Sequence, residues 1–276
     1  MTKMVIHLPN PLPPAGEGAD MERRFSGVSR LYGQAGLAKL QVAHVVVIGI
    51  GGVGSWAAEA LARNAIGRIT LIDLDNIAES NVNRQIHAVD GAFGKAKVSA
   101  MQERILSINP SCKVHEIEDF ITAENVAELL NFSSDIGCNV IVDCMDDAQA
   151  KAALASFCKH QKIALIMTGG AGGRLDATKI KMADLATVTN DRLLAKVRNL
   201  LRRDYAYPKG EKTKFAINCI FSDEPVIMPS ANSEPSALLT DSITGLNCAG
   251  YGSSVSVTAT FGFVAAQLAL NCILQK

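Results

Sequence analysis

A chain of 276 residues, 48% apolar and 5% aromatic, is long enough for one large α/β domain whose core is built from Ala, Val, Ile and Leu. Its 27 Lys and Arg balance 27 Asp and Glu, so there is no global electrostatic pull toward nucleic acid or membrane, and any basic surface must be local. Seven scattered cysteines, an odd number with no C-x-x-C pair, argue against a disulfide framework and a zinc ribbon, and point to a reducing compartment, most simply the cytoplasm.

The N-terminus has no basic region followed by an apolar run, so no signal peptide is expected. Residues 1–20 hold LPNPLPPAGEG, where the prolines oppose helix, and are read as a tail ahead of a single domain over 21–276. MERRFSGVSRLYGQAGLAKL (21–40) predicts a short helical lead-in carrying Arg23, Arg24 and Arg30. Strands are expected at 42–48 and 68–72 around a helix at 55–64, then a helix at 95–108 that stops at Asn109-Pro110. Further strands at 113–117, 140–144 and 163–167 alternate with helices at 123–130 and 148–160. This alternation predicts a doubly wound, mainly parallel Rossmann-like α/β sheet over a core of 42–173. Beyond Gly173, ATKIKMADLA and TKFAINCIFSDEPVI predict a smaller antiparallel β extension within 174–276. The last element, VSVTATFGFVAAQLALNCIL (255–274), is uncharged and long enough to span a bilayer. Its Ser, Thr, Asn and Gln, and the lack of a flanking Lys/Arg cluster, favour a buried core helix; membrane association is the alternative.

The first strand runs into Gly49, Gly51, Gly52 and Gly54, a G-x-G-x-x-G turn that opens a helix. Such glycines allow a tight turn, close approach of backbone to phosphate and packing of helix on strand, with helical N–H groups aimed at anionic oxygens. Asp73 and Asp75 close the second strand, and Asp73 stands where a carboxylate accepts from ribose hydroxyls. This much predicts a nucleotide site without separating NAD from ATP.

The residues beyond Asp75 separate the two. A dehydrogenase would enter a plain crossover helix, whereas this chain has a polar loop with Asn81, Asn83, Arg84 and Gln85, then Gly94 and Lys97. A guanidinium and an ammonium after the ribose aspartate suit a triphosphate about to lose pyrophosphate. At VIVDCMDDAQAK a strand ends in Asp143, Asp146 and Asp147 at the carboxyl edge of the sheet. Acids pointing into a phosphate site repel phosphate unless Mg²⁺ lies between, so Asp146 is the candidate metal ligand. Asp147 is either a helix N-cap or an adenine-side residue.

G-x-G-G-V-G-S, D-L-D, S-N-x-x-R-Q, G-x-x-K-A and D-x-x-D, in this order over residues 49–147, resemble the ubiquitin-activating-enzyme superfamily, which includes the ThiF and MoeB adenylyltransferases. The resemblance implies adenylation of a carboxylate by a homodimer. It implies ribose at Asp73, phosphates at Asn81, Arg84 and Lys97, and magnesium at Asp146. It further implies an arginine reaching the partner subunit's ATP from the N-terminal segment, with Arg24 the first candidate and Arg30 the second.

ThiF- and MoeB-type proteins usually carry two zinc-binding C-x-x-C pairs, which this chain lacks. RFSGVSRLYG, NRQIHA, INPSCKV, TGGAGG, NCIFSDE and VTATFGFVAAQ instead resemble the tRNA threonylcarbamoyladenosine dehydratases within that superfamily, from about Arg24 to Ala269. That resemblance implies ATP-dependent cyclising dehydration of the modified nucleoside; activation of a ubiquitin-like sulfur carrier is the alternative. It also admits a sulfur-transfer or cysteine desulfurase partner without specifying one. Cys144, Cys219 and Cys248 are read as packing residues. For an RNA substrate, Arg192–Lys214 offers eight Lys/Arg against two acids on an amphipathic helix, with Tyr205 and Tyr207 as candidates for base stacking. A solvated helix face is the bland alternative. TGGAGG (168–173) is expected to shape the acceptor side of the site, or else to be a plain turn.

Overall fold

A computed structural model of the chain describes residues 17–132, 137–210, 213–227 and 251–275. In chain order the elements are α1 (Glu17–Val42), β1 (His44–Ile48), α2 (Gly54–Arg63), β2 (Arg68–Ile72), α3 (Lys97–Ile108), β3 (Lys113–Ile117) and α4 (Val126–Leu129). They continue with β4 (Val140–Asp143), α5 (Ala148–Gln161), β5 (Ala164–Thr168), β6 (Ile180–Asp184), α6 (Arg192–Asp204), β7 (Asn218–Ser222) and α7 (Val255–Leu274). The seven strands form one sheet in the order β3-β2-β1-β4-β5-β7-β6. Every pairing is parallel except β6 with β7.

The continuous run of β-branched residues in β1 has its cause in this placement. All five β1 residues are buried, because helices cover both faces of a central parallel strand. Side chains alternate: Val45 and Val47 join a core with residues of α2, α3 and α7, while Val46 and Ile48 join a second core with α5 and α6. Connections leave β1 toward β2 on one side and the chain returns to β4 on the other, so the strand order reverses at β1/β4. Ligands of open α/β sheets bind outside the strand ends at such a point.

The antiparallel extension is the β6–β7 pair, with Ile180 opposite Ser222 and Asp184 opposite Asn218. It is shorter than 213–227 suggests: the strand is only Asn218–Ser222, with Ile217 adding one backbone bond from Leu185 N at 3.0 Å and Phe215 contributing a buried side chain. The first element is longer than expected, starting at Glu17 inside the segment read as tail and running through Val42, expected as strand. It is interrupted where Phe25 and Gly33 leave helical dihedrals. The helix expected at 123–130 is a single turn, α4.

The uncharged helix α7 is a core element. Val257, Phe261, Ala265, Ala266, Ala269, Leu270 and Ile273 are buried, and a side chain on Gly262 would sit 2.5 Å from the Val53 carbonyl and 2.9 Å from the Ala57 nitrogen. Its apolar run thus packs on α2, at the N-terminus of which lies the glycine turn. This packing favours the buried core helix of the two readings, with Val255 and Phe263 left exposed on the outer side.

Candidate active site

The glycine turn leaves β1 at Gly49, whose φ of 82° favours glycine. A Cβ there would lie 2.9 Å from the Cys144 carbonyl, and one on Gly54 would lie 1.8 Å from the Gly49 carbonyl. The turn is therefore closed too tightly for any side chain at Gly54, and it abuts the loop that follows β4. Gly51 and Gly52 lie between, with the aliphatic part of Arg84 next to Gly52. The first turn of α2 begins here, and the Ser55 hydroxyl is buried without a hydrogen-bond partner.

Asp73 is nearly fully buried behind the turn. Its carboxylate accepts from Ile50 N at 2.6 Å and Asp75 N at 2.9 Å, so it braces the glycine loop. Burial raises its pKa, and Lys97, 3.9 Å away, opposes that rise. Lys97 is the first residue of α3, buried, with its ammonium 2.6 Å from Asp75 Oδ2. The two acids of D-L-D thus divide the work: Asp73 holds backbone and Asp75 holds Lys97.

The polar loop wraps over the same turn. Asn81 is buried and accepts from Ala78 N at 3.0 Å. Arg84 donates to the Ser80 carbonyl at 2.8 Å and to Asn83 Oδ1 at 3.0 Å, and its own carbonyl accepts from Trp56 Nε1 at 2.9 Å. Gln85 is buried with Oε1 unpartnered. On the far side, Asp146 is exposed in the loop after β4, and Asp147 caps α5 by accepting from Ala150 N at 2.7 Å. The cap is therefore the role this geometry gives Asp147. The structure brings together Gly49 to Gly54, Asp73, Asp75, Asn81, Arg84, Gln85, Lys97, Asp146 and Asp147 around one sheet edge.

It does not bring Arg24 there within one chain. Arg24 donates to the carbonyls of Ser107 and Ile108, at the opposite end of α3 from Lys97. Lysines and arginines favour helix C-termini for this reason.

Two contributors, His87 and Lys151, were missed in the sequence, and Asp143 was named there only as a strand-end acid. His87, buried, has Nε2 3.0 Å from the Ile50 carbonyl and Nδ1 unpartnered; burial lowers its pKa to about 4, so it is neutral beneath the glycine loop. Asp143 and Lys151 are completely buried, 3.0 Å apart. Lys151 also donates to the Thr168 carbonyl at 2.8 Å, tying the end of β4 to the end of β5. Burial raises the Asp143 pKa against the pull of Lys151. The available signal was a lysine amid alanines in AQAKAALASFC, on a helix otherwise suited to burial.

The cysteines behave as packing residues. Burial pushes the Cys144 thiol up to about 12 and Cys219 also upward. Cys248 lies outside the described residues. The basic helix α6 buries Leu193, Leu194, Val197, Leu200 and Leu201 as its pattern predicts, leaving Arg192, Lys196, Asn199 and Arg203 along a surface groove. Tyr207 is a correction: it is buried, its hydroxyl donating to the Ala155 carbonyl and Lys159 lying over its ring, so it is not presented to a base.

With this geometry in place, comparison with known proteins decides the family. Residues 24–276 match the ThiF family. The chain belongs to that family. It is 46% identical over 256 residues to the tRNA threonylcarbamoyladenosine dehydratase of Haemophilus influenzae, covering 92% of this chain and 95% of the relative. It is 44% identical over 257 residues to the Escherichia coli protein of the same name, covering 92% and 94%. The crystal structure of the Escherichia coli enzyme, TcdA, in complex with ATP superposes with a TM-score of 0.82 at 42% identity, over 93% of this chain and 96% of that one; a complex with AMP superposes equally. The motifs that carry the ThiF family therefore sit here on the fold those structures share.

Proposed function

We propose that this chain is an ATP-dependent tRNA threonylcarbamoyladenosine dehydratase. The observation that carries the reading is the glycine turn braced by Asp73 and faced by Lys97, in a chain that matches two such dehydratases over more than nine-tenths of its length. The threonyl carboxylate of the modified adenosine attacks the α-phosphorus of ATP, displacing pyrophosphate and leaving an acyl-adenylate. A neighbouring carbamoyl atom then attacks the activated carbonyl and expels AMP, closing a ring with net loss of one water from the nucleoside. The second step is intramolecular and gains from high effective molarity.

The chain's own residues supply positioning and charge. Helix α2 and the turn before it offer N–H groups and the unpartnered Ser55 hydroxyl to phosphate oxygens. Lys97 and Arg84 neutralise the polyphosphate as pyrophosphate departs. Asp73 has lone pairs left for the ribose after bracing Ile50. Asp146, exposed in the loop after β4 at the same sheet edge, is the carboxylate that would hold a Mg²⁺ ion, with phosphate and water oxygens completing its shell. When bound, the ion supplies charge neutralisation between the acids and the phosphates.

The enzyme acts as a homodimer on this reading, with Arg24 or Arg30 of one subunit serving the other's ATP. What supports this is the family resemblance and the exposed position of both residues. The α6 groove is the tRNA-facing surface, for its cations and not for Tyr207. The enzyme works in the cytoplasm, as the scattered cysteines suggest. The test is mass spectrometry of nucleosides from threonylcarbamoyladenosine-containing tRNA after incubation with enzyme and ATP. The expected result is loss of one water, dependent on ATP; modified tRNA returned unchanged, with AMP formed on a ubiquitin-like carrier instead, would overturn it.

A further inference from the structure

Arg174 ends the segment TGGAGGR as a buried cation. It is 2% exposed, and no ion pair holds it among the described residues. Its hydrogen bond runs from Nη2 to the Asn190 carbonyl at 2.8 Å, while Nε and Nη1 are buried without an acceptor. A buried, incompletely paired charge is costly, so a fold that keeps one has a use for it.

The nearby acids are committed elsewhere. Asp191 caps α6, Oδ1 accepting from Leu194 N and Oδ2 from Gly170 N, each at 2.9 Å. Glu224 Oε2 accepts from Leu175 N at 2.9 Å and Asp176 N at 3.0 Å. Neither closes on the guanidinium, and burial pulls its pKa below the usual arginine value. The cradle is fixed in advance. Asn190 adopts a left-handed φ of 56°, and its side chain donates to Asp223 Oδ1 at 2.9 Å. Leu175, the next residue, is 68% exposed, so Arg174 lies one layer beneath the surface.

Its place in the fold points to an anion at the acceptor side of the site. The segment starts from the carboxyl end of β5, where the Thr168 hydroxyl donates to the Asp143 carbonyl, and so continues the edge that carries Asp146. We propose that Arg174 binds an oxyanion of the tRNA substrate on the acceptor side of the site, either the threonyl carboxylate or a neighbouring phosphate. The proposal rests on the reading of the reaction given above and adds a residue to it.

The test uses the full chain with Arg174→Met, which keeps length and removes charge, and Arg174→Lys. Wild-type conversion of modified tRNA is measured first; its failure sinks the reading of the reaction itself. Given conversion, the KM for modified tRNA is expected to rise about 10- to 100-fold in Arg174→Met, as for a lost charge-assisted hydrogen bond, with the KM for ATP unchanged and partial recovery in Arg174→Lys. Affinity for the same tRNA lacking the threonylcarbamoyl group distinguishes the sources: unchanged affinity assigns the carboxylate, and weakened affinity assigns a phosphate. A tRNA KM within twofold of wild type in both variants, or an ATP KM that rises in step with it, overturns the assignment and leaves Arg174 a structural residue. Where Arg174→Met does not fold, Arg174→Lys decides on the same criteria.

Discussion

At the scale of single residues, the groups proposed to hold the nucleotide also hold the fold. Lys97 is the clearest case: a buried ammonium held by Asp75 and near Asp73. Lys97→Ala removes the charge beside the polyphosphate and is expected to lower kcat/KM about 100- to 1000-fold, as loss of one preorganised donor does; pyrophosphate release with modified tRNA measures it. His87 predicts a pH dependence. Its pKa falls from 6.5 unfolded to about 4 folded, so between those values the unfolded chain binds the extra proton and stability falls as pH falls. His44, also lowered by burial, adds in the same direction. Denaturant melts at pH 7 and pH 4.5 should differ for wild type, and His87→Gln should remove part of that difference, on the order of 3 kcal/mol at most. A His87→Gln variant with the same pH dependence of stability as wild type would refute the buried neutral imidazole, since the raised carboxyls of Asp73 and Asp143 act in the opposite direction in both proteins.

At the scale of elements, what matters is how strand ends are joined. Lys151 links β4 to β5 through Asp143 and the Thr168 carbonyl, with all groups out of water. Removing one partner strands a buried charge, so Lys151→Met should cost about 3–5 kcal/mol, whereas Asp143→Asn with Lys151→Met removes both charges and should recover most of it. Thermal unfolding of the three proteins checks this, and a double variant no better than the single would contradict the coupling. The turn between β1 and α2 is equally constrained. Gly54→Ala places a methyl group 1.8 Å from the Gly49 carbonyl, so the turn must open; nucleotide binding, followed by calorimetry, should be lost before the global fold.

At the scale of the whole molecule, α7 closes the core that α2 and α3 begin, burying Val257, Phe261 and Ala265 against them. A chain ending at residue 254 should therefore collapse or aggregate, exposing the apolar face of the sheet, and should not gain solubility as a protein freed of a membrane anchor would. Size-exclusion chromatography of the truncated chain distinguishes the two.

The sequence by itself determined the fold class and which polar residues gather at the carboxyl edge of the sheet. Buried parallel strands must be continuous in apolar residues, a tight phosphate turn must be glycine, and charges for a triphosphate must come after the ribose acid; each constraint is local and leaves a local trace at 45–54, 73–75 and 81–97. Helix α6 was legible for the same reason, since its apolar face repeats with the helical period. Only the tertiary structure decided the rest. His87, Arg174 and the Asp143–Lys151 pair are ordinary polar residues until segments far apart in the chain close over them and remove water. Tyr207 reads as an available ring until α5 supplies the Ala155 carbonyl that holds it inside. Arg24 reads as a surface cation until the end of α3 offers it two carbonyls. Burial and pairing are relations between distant segments, and they are what turn these residues into parts of a site or of its frame.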